Sequence, residues 1–337
     1  RLAGTTGDTY YGSATFYITG SGTLRVAYAG TNSFYSNVTT SGSPTFGDNG
    51  GLVSFEGANQ QILSGSTSFS IPKFRMNKLS INGVLTINNS VTVSSALTLN
   101  AGKIIMTGGS IFTINNSVTV SGGSSACYFD GAVTKVGNTA FTFPIGNGNS
   151  YMPLTITAPS ITTDAFQAQA FAATPPNSTS FDATIKGLIT GYWNLSRTNG
   201  TSSVQATLYW NPTTPRPIFQ EYAHVAMYNS KWKDNGSNNL TFSYLQGSVT
   251  SNALTSYGKL TLGFTTTNPT TCATCDTTLN WATVRSFDEY GRVIDDKKIF
   301  ADNLGRVKQS QQRNLVANKI LAQAGVYDTY GRSGLST

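Results

Sequence analysis

The amino-acid sequence predicts an all-β protein in which a parallel β-solenoid is followed by a β-sandwich. Three observations predict it. Charged residues make up only 11% of the chain, less than half of the roughly 25% usual in globular domains, and Gly, Ser, Thr and Asn take their place. Aromatic residues stand at 11%, and with many Thr, Val, Tyr and Phe residues they favour strands over helices. The nonapeptide TINNSVTVS occurs twice, at 86–94 and 113–121, 27 residues apart.

The solenoid is expected over residues 1–145. From Lys78 the triplets LSI (Leu79), LTI (Leu85), VTV (Val91) and LTL (Leu97) each begin six residues after the last. Their apolar–polar–apolar pattern has the period of a half-buried strand, and Asn, Gly and Ser between them supply turn conformations. Strands this short form no stable hairpin sheet alone. As rungs of a coil, each pairs with an equivalent strand above and below. Asn88 and Asn89 are then expected to align with Asn115 and Asn116, or to lie near them, as an asparagine ladder. An echo upstream, YYGSAT from Tyr10 and FYSNVT from Phe34, is spaced by 24 residues. Further coils are expected before Arg1.

The sandwich is expected over 146–267, where β-rich runs such as FQAQAFAA, GYWNLSRT, VQATLYW, HVAMYNSKWK and GKLTLGFT alternate with polar turns. Such spacing fits roughly seven to nine strands. Trp193, Trp210 and Trp232 fill a sandwich core or form a sugar-stacking platform; the alternation around YWNLS and LYWN supports the core. Trp210 and Trp232 are kept as glycan-contact candidates. Charge density then changes. Residues 1–150 and 151–281 carry 11 charged residues each, but the last 56 carry 15. The Thr-, Asn- and Pro-rich segment 268–280 precedes that jump as a linker, and 281–337 form a third unit.

Several function classes find little support. The net charge of +7 is spread thinly, and no Lys/Arg run has the form of a nucleic-acid arm. No apolar segment approaches the roughly 20 residues of a membrane helix. Cys272 and Cys275 form a CATC that suits a small disulfide loop or two idle thiols; with no second pair, zinc is disfavoured. His224 is the sole histidine, exposed on its strand or satisfied by Glu221, and no GxSxG elbow accompanies it. The acids Asp8, Asp48, Glu56 and Asp130 are too scattered for the clustered carboxylates of a solenoid lyase or hydrolase. The basic trio Lys73, Arg75 and Lys78 has no acid partner in sequence and suggests the exit from an irregular segment. FGDNGG (46–51) is a turn before it is a calcium loop. No catalytic residue, cofactor or metal ligand is assigned, and the chain is expected not to be an enzyme.

Two resemblances extend this reading. The runs YYGSATFYITGSGTLRVAYAGTNSFYSNVTT, GGLVSFEGANQQI and LTINNSVTVSSALTLNAGKI resemble repeat-rich surface proteins of Bacteroidota. The stretch 120–156, ending in SYMPLTI where YRPL is common, is similar to the segment that follows their β-helical coils and opens a sandwich. In the last unit FDEYGRVI, FADNLGRVKQ and VYDTYGRSGLST resemble the YD repeats of RHS proteins. An Asp opening a turn and a Gly three residues later suit a hairpin. Asp288, Gly291 and Arg292, then Asp302, Gly305 and Arg306, then Asp328, Gly331 and Arg332 occupy the turn positions. QSQQRNLVANKILAQAG between them has helical propensity, yet hairpin strands are expected there.

The resemblance implies a secreted all-β scaffold with the start of a β-sheet shell that encloses a toxin or other cargo. It would be the N-terminal region of a larger cell-surface or toxin-delivery chain, exported by the type 9 secretion system. It also implies extracellular or cell-surface placement, with the type 9 translocon, accessory outer-membrane proteins and the remainder of the RHS chain as partners. A cell-surface adhesin that binds glycan is the alternative.

Overall fold

The computed structural model describes residues 7–12, 14–17, 25–26, 29–42, 45–47, 49–212, 214, 217, 220–243, 246–265, 280–287, 293–302, 305–314 and 319–325. It is almost wholly β and begins with a parallel solenoid of about five turns. Each coil presents up to three strands, one per face. On the first face lie Thr9–Tyr10, Thr31–Phe34, Leu52–Gly57, Lys73–Lys78, the start of Ala96–Met106, and Thr119–Gly122. They stack in the register Tyr10, Phe34, Phe55, Met76, Leu99, Gly122. The second face runs from Ala14–Tyr17 through Val38–Ser41, Gln61–Gly65, Val84–Ile87, the end of Ala96–Met106 and Cys127–Asp130 to Ile145–Asn147. The third stacks Phe69–Ser70, Val91–Val93, Ile111–Ile114 and Ala132–Val136 in the register Phe69, Val91, Phe112, Val133.

Coil length follows from these registers: 21 residues separate Val91 from Phe112 and Phe112 from Val133, and 23 separate Met76 from Leu99. The six-residue interval in the sequence is therefore one face plus a corner, not one coil. LTI, VTV and LTL lie on three different faces of one turn. LSI is no strand at all: residues 79–82 form a turn and Leu79 is 78% exposed.

The two nonapeptides are likewise offset by a face. Val91–Val93 of the first copy lies on the third face beside Thr113 and Ile114 of the second, while Thr119–Gly122 of the second copy sits on the first face. The expected asparagine ladder is corrected accordingly. Asn88 Oδ1 accepts a hydrogen bond from Thr107 Oγ1 at 2.7 Å, and Asn89 Oδ1 accepts one from Gly65 N at 2.9 Å. The upstream echo does mark one coil: Tyr10 pairs with Phe34 and their rings stack at 4.7 Å.

Alternation puts every second side chain inside, and the interior is a file of aromatic rings. Phe34, Phe55, Phe74, Phe112 and Phe129 follow one another at centroid distances of 5.9, 5.5, 5.3 and 4.6 Å, within the range where ring pairs attract beyond their area. Cys127 is fully buried beside them, and burial pushes its thiol up to about 12. A thiol that is neither ionised nor accessible is inert. In a variant with Cys272 and Cys275 replaced by Ser, the folded protein is expected to leave Cys127 unmodified by a thiol reagent, and the denatured protein to react in full.

The solenoid passes into the next unit without a break in hydrogen bonding. Ala132–Val136 pairs antiparallel with Ala165–Phe171, Val133 opposite Ala168. The sheet then continues through Tyr192–Asn199, Gly258–Phe264 and Ala223–Asn229 to Lys231–Asp234. A second sheet orders Phe141–Phe143, Leu154–Ile156, Ala206–Trp210, Gly247–Thr250 and Asn238–Phe242. Trp193, Leu195, Leu260 and Leu262 of the first sheet share one buried cluster with Ile156, Leu208, Trp210 and Val249 of the second. HVAMYNSKWK, expected as a single run, folds as a hairpin with Ser230 at φ 59°.

A third unit is a four-stranded antiparallel meander of Asn280–Phe287, Val293–Ala301, Val307–Asn314 and Lys319–Ala324. Its last two strands take up 309–314 and 319–324 of QSQQRNLVANKILAQAG in antiparallel pairing, so strand geometry prevails over helical propensity there. Among the described residues of this sheet Phe300, at 3% exposed, is buried.

Candidate functional site

Among the described residues a cleft of about 790 Å³ opens on the surface, a volume typical of small-ligand sites. Its lining combines Ser124 and Ser125 from the corner of the last solenoid coil, Thr241, Phe242, Gln246 and Ser248 from one hairpin, and Tyr151, Pro153, Tyr209, Trp210 and Asn211. Alternation along Ala206–Trp210 decides which rings are available. Leu208 and Trp210 point into the core and Tyr209 points out, half-buried. Trp210 is 1% exposed, and its Nε1 donates to Gln220 Oε1 at 3.1 Å. Gly247 packs flat on that indole; a Cβ there would lie 2.1 Å from Trp210 Cζ2.

Neutral hydrogen-bonding groups hold the wall. Tyr209 Oη and Thr155 Oγ1 are 3.0 Å apart, Thr241 Oγ1 and Ser248 Oγ 3.0 Å, and Asn211 Nδ2 donates to the Tyr151 carbonyl at 2.9 Å. Burial, with Tyr209 nearby, pushes the Tyr151 phenol up to about 12, so it stays neutral across the physiological range. No described residue of the lining carries a charge. The Arg313 guanidinium sits 5.5 Å from the centroid of the Phe242 ring. The cleft therefore offers ring faces, hydroxyls and amides, which suit binding of an uncharged polar molecule.

A polar network occupies the outer side of the solenoid's first face. Glu56 accepts from Ser54 Oγ at 2.5 Å, Arg75 Nη2 at 2.8 Å and Asn77 Nδ2 at 2.5 Å. The register places Ser54 beside Arg75 and Glu56 beside Asn77. This corrects the expectation for the basic trio: Lys73–Lys78 is a regular strand and Arg75 has an acid partner. Lys78 is buried at the next corner, its Nζ donating to the carbonyls of Glu56 and Asn59 and to Gln61 Oε1. Burial pulls its ammonium down to about 8, with Glu56 opposing that shift.

Burial alone would push the Glu56 carboxyl up, but hydrogen bonds from Ser54, Asn77 and Arg75 outweigh it and hold the carboxyl below its ordinary value. A lowered carboxyl pKa adds stability that is present above the unfolded-state value and lost as pH falls through the folded-state value. Hence wild type is expected to exceed Glu56→Gln in stability at neutral pH, with the gap closing as pH falls below the ordinary glutamate value. Urea denaturation of both proteins across that range checks it.

The other sequence candidates fall as follows. Trp232 is fully buried and its Nε1 donates to the Pro176 carbonyl at 2.9 Å. Neither Trp232 nor Trp210 thus presents a free ring face for sugar stacking. Trp193 is also buried, donating to the Met152 carbonyl at 2.9 Å. His224 Nδ1 lies 2.9 Å from Asp234 Oδ1, so Asp234 is a partner that the sequence reading did not name. Asp130 is engaged by Asn147 Nδ2 and Gly148 N. Asp302, Gly305 and Arg306 close one turn. Gly305 N donates to the Asp302 carbonyl at 2.8 Å with φ +78°, and Arg306 donates from N and Nε to the Asp302 carboxylate at 3.0 and 2.8 Å. Asp288, Gly291, Arg292, Asp328, Gly331 and Arg332 lie outside the described residues, as do Asp48, Cys272 and Cys275.

Among the described residues no three His, Cys, Asp or Glu side chains converge as a metal site, and no helix is long and apolar enough to cross a membrane. Tyr151, Tyr209 and Phe242 were missed in the sequence; the outward phase of Tyr209 between Leu208 and Trp210 is the one local signal for any of them. Set against family models, curated proteins and solved structures, the chain matches none.

Proposed function

We propose that this chain is a non-catalytic scaffold and docking region of a larger secreted protein of RHS type, on the cell surface or in toxin delivery. Export by the type 9 secretion system, with the translocon and the rest of the same chain as partners, belongs to that reading. The turn at Asp302, Gly305 and Arg306 carries it. The carboxylate grips both the backbone and the guanidinium of Arg306, giving the Asp–Gly–Arg phrase a structural reason to recur wherever a strand must reverse. A stack of paired strands joined to a sandwich by continuous hydrogen bonds suits a stalk, because its stability comes from neighbour-to-neighbour interfaces along one axis.

The test is the intact mass of the native polypeptide carrying this segment, from cells and from medium. The expected mass is far above 35.8 kDa, with the chain in the medium or at the surface. A native mass near 35.8 kDa, or retention inside the cell, overturns the proposal.

A further inference from the structure

We infer that the cleft between the last solenoid corner and the second sandwich sheet binds a neutral oligosaccharide. The site stands on its own geometry and does not depend on the RHS reading. Its volume of about 790 Å³ admits more than a single ion or a lone side chain. Tyr209, Tyr151 and Phe242 are only partly buried, and all three line the cavity. A pyranose ring presents C–H groups on one face, which carry slight positive charge and pack against the negative face of an aromatic ring. Its hydroxyls point outward in the ring plane, where Ser, Thr, Asn and Gln groups can both donate and accept.

The lining places these two kinds of group together: tyrosine and phenylalanine rings beside Ser124, Ser125, Thr241 and Gln246. An apolar ligand is disfavoured because those polar rim groups would lose water without replacement. No described residue of the lining carries a charge to draw an acidic ligand, and the nearby Arg313 guanidinium is already placed over the Phe242 ring. A neutral sugar chain meets each of these conditions.

Tyr209 is the residue to change. It lies on the outer face of its strand, half-buried, where its hydroxyl and that of Thr155 are 3.0 Å apart. The experiment is calorimetric titration of the full chain with a panel of neutral oligosaccharides (glucans, mannans, galactans and N-acetylhexosamine oligomers). Polygalacturonate and heparin-type chains serve as acidic controls. The expected result is saturable binding of at least one neutral member, weakened about tenfold or more by Tyr209→Ala, a loss of roughly 1.4 kcal/mol. Tyr209→Phe, which keeps the ring, is expected to stay within about threefold of wild type, which is under 1 kcal/mol. Thermal midpoints of both variants, measured in parallel, show that the fold is kept. Absence of binding across the neutral panel, binding of acidic chains alone, or neutral binding indifferent to Tyr209→Ala overturns the inference. A low native mass leaves it standing, so the two failures are told apart.

Discussion

Phe112→Ala is expected to lower the unfolding free energy by about 3–5 kcal/mol, the usual cost of removing a large buried aromatic side chain. Phe112 has no exposed surface and sits between Phe74 and Phe129 in the file of rings. Its removal opens a cavity that the coils on either side must share, and main-chain pairing at Val91 and Val133 keeps those coils from collapsing onto it. The loss is a large fraction of the 5–15 kcal/mol typical of a domain. Trp193, Trp210, Trp232 and Trp281 all lie beyond the solenoid, so indole fluorescence reports the sandwich and, through Trp281, the four-stranded meander, while far-UV circular dichroism reports all strands. Both signals are expected to shift together in guanidinium, because Phe112 and Trp193 belong to one continuous core. Two separated transitions would show that the junction does not couple the units. Ile62→Ala, at a site 41% exposed, is the control and should fall within about 0.5 kcal/mol of wild type.

The second large effect is expected at Trp232→Ala, again about 3–5 kcal/mol. Trp232 packs against Ile185, Ala226 and Tyr228 in a small cluster separate from the main core. It also fastens a long connection to the edge hairpin. Its N donates to the Ser180 carbonyl, its carbonyl accepts from Asp182 N, and its indole donates to the Pro176 carbonyl. Replacement by Ala empties the cluster and orphans that last acceptor. Trypsin is then expected to cut the variant at Lys186, which lies in the fastened segment, well before it cuts wild type. Equal cleavage rates and an unchanged midpoint would refute this. The result bears on the sugar question as well, since loss of binding in Trp232→Ala would report unfolding rather than contact.

What the sequence disclosed follows from what solenoids demand. Every face needs an apolar–polar–apolar strand and every corner a residue tolerant of turns, so the alternation from Val84 to Met106 was plain. The same rule hid the register. Because faces are chemically interchangeable, TINNSVTVS fits the corner after the second face and equally the corner after the third. Its 27-residue repeat therefore measures one coil plus a fraction, and the asparagines do not align. Aromatic stacking was the better guide, since Tyr10 and Phe34 fill equivalent places inside. The cleft was almost invisible. Ser125, Tyr151, Tyr209 and Phe242 come from four distant segments that meet only in the folded chain. No local period marks a site assembled that way.

That junction has a further consequence. A stack of parallel strands is, in its backbone, the same arrangement as a cross-β fibril, with ladders of donors and acceptors open at each end. At the last coil two of the three ladders are occupied: Ala165–Phe171 pairs with the third face, and Ser150–Tyr151 with Ile145–Asn147 at the end of the second. The remaining one ends in the short strand Thr119–Gly122, where Gly122 adopts φ +79° and leaves the extended path. Brief, interrupted edges template poorly. The sandwich thus acts as a stopper: it denies incoming chains a strand edge to add to, and the protein can be held at high concentration without seeding filaments from that end.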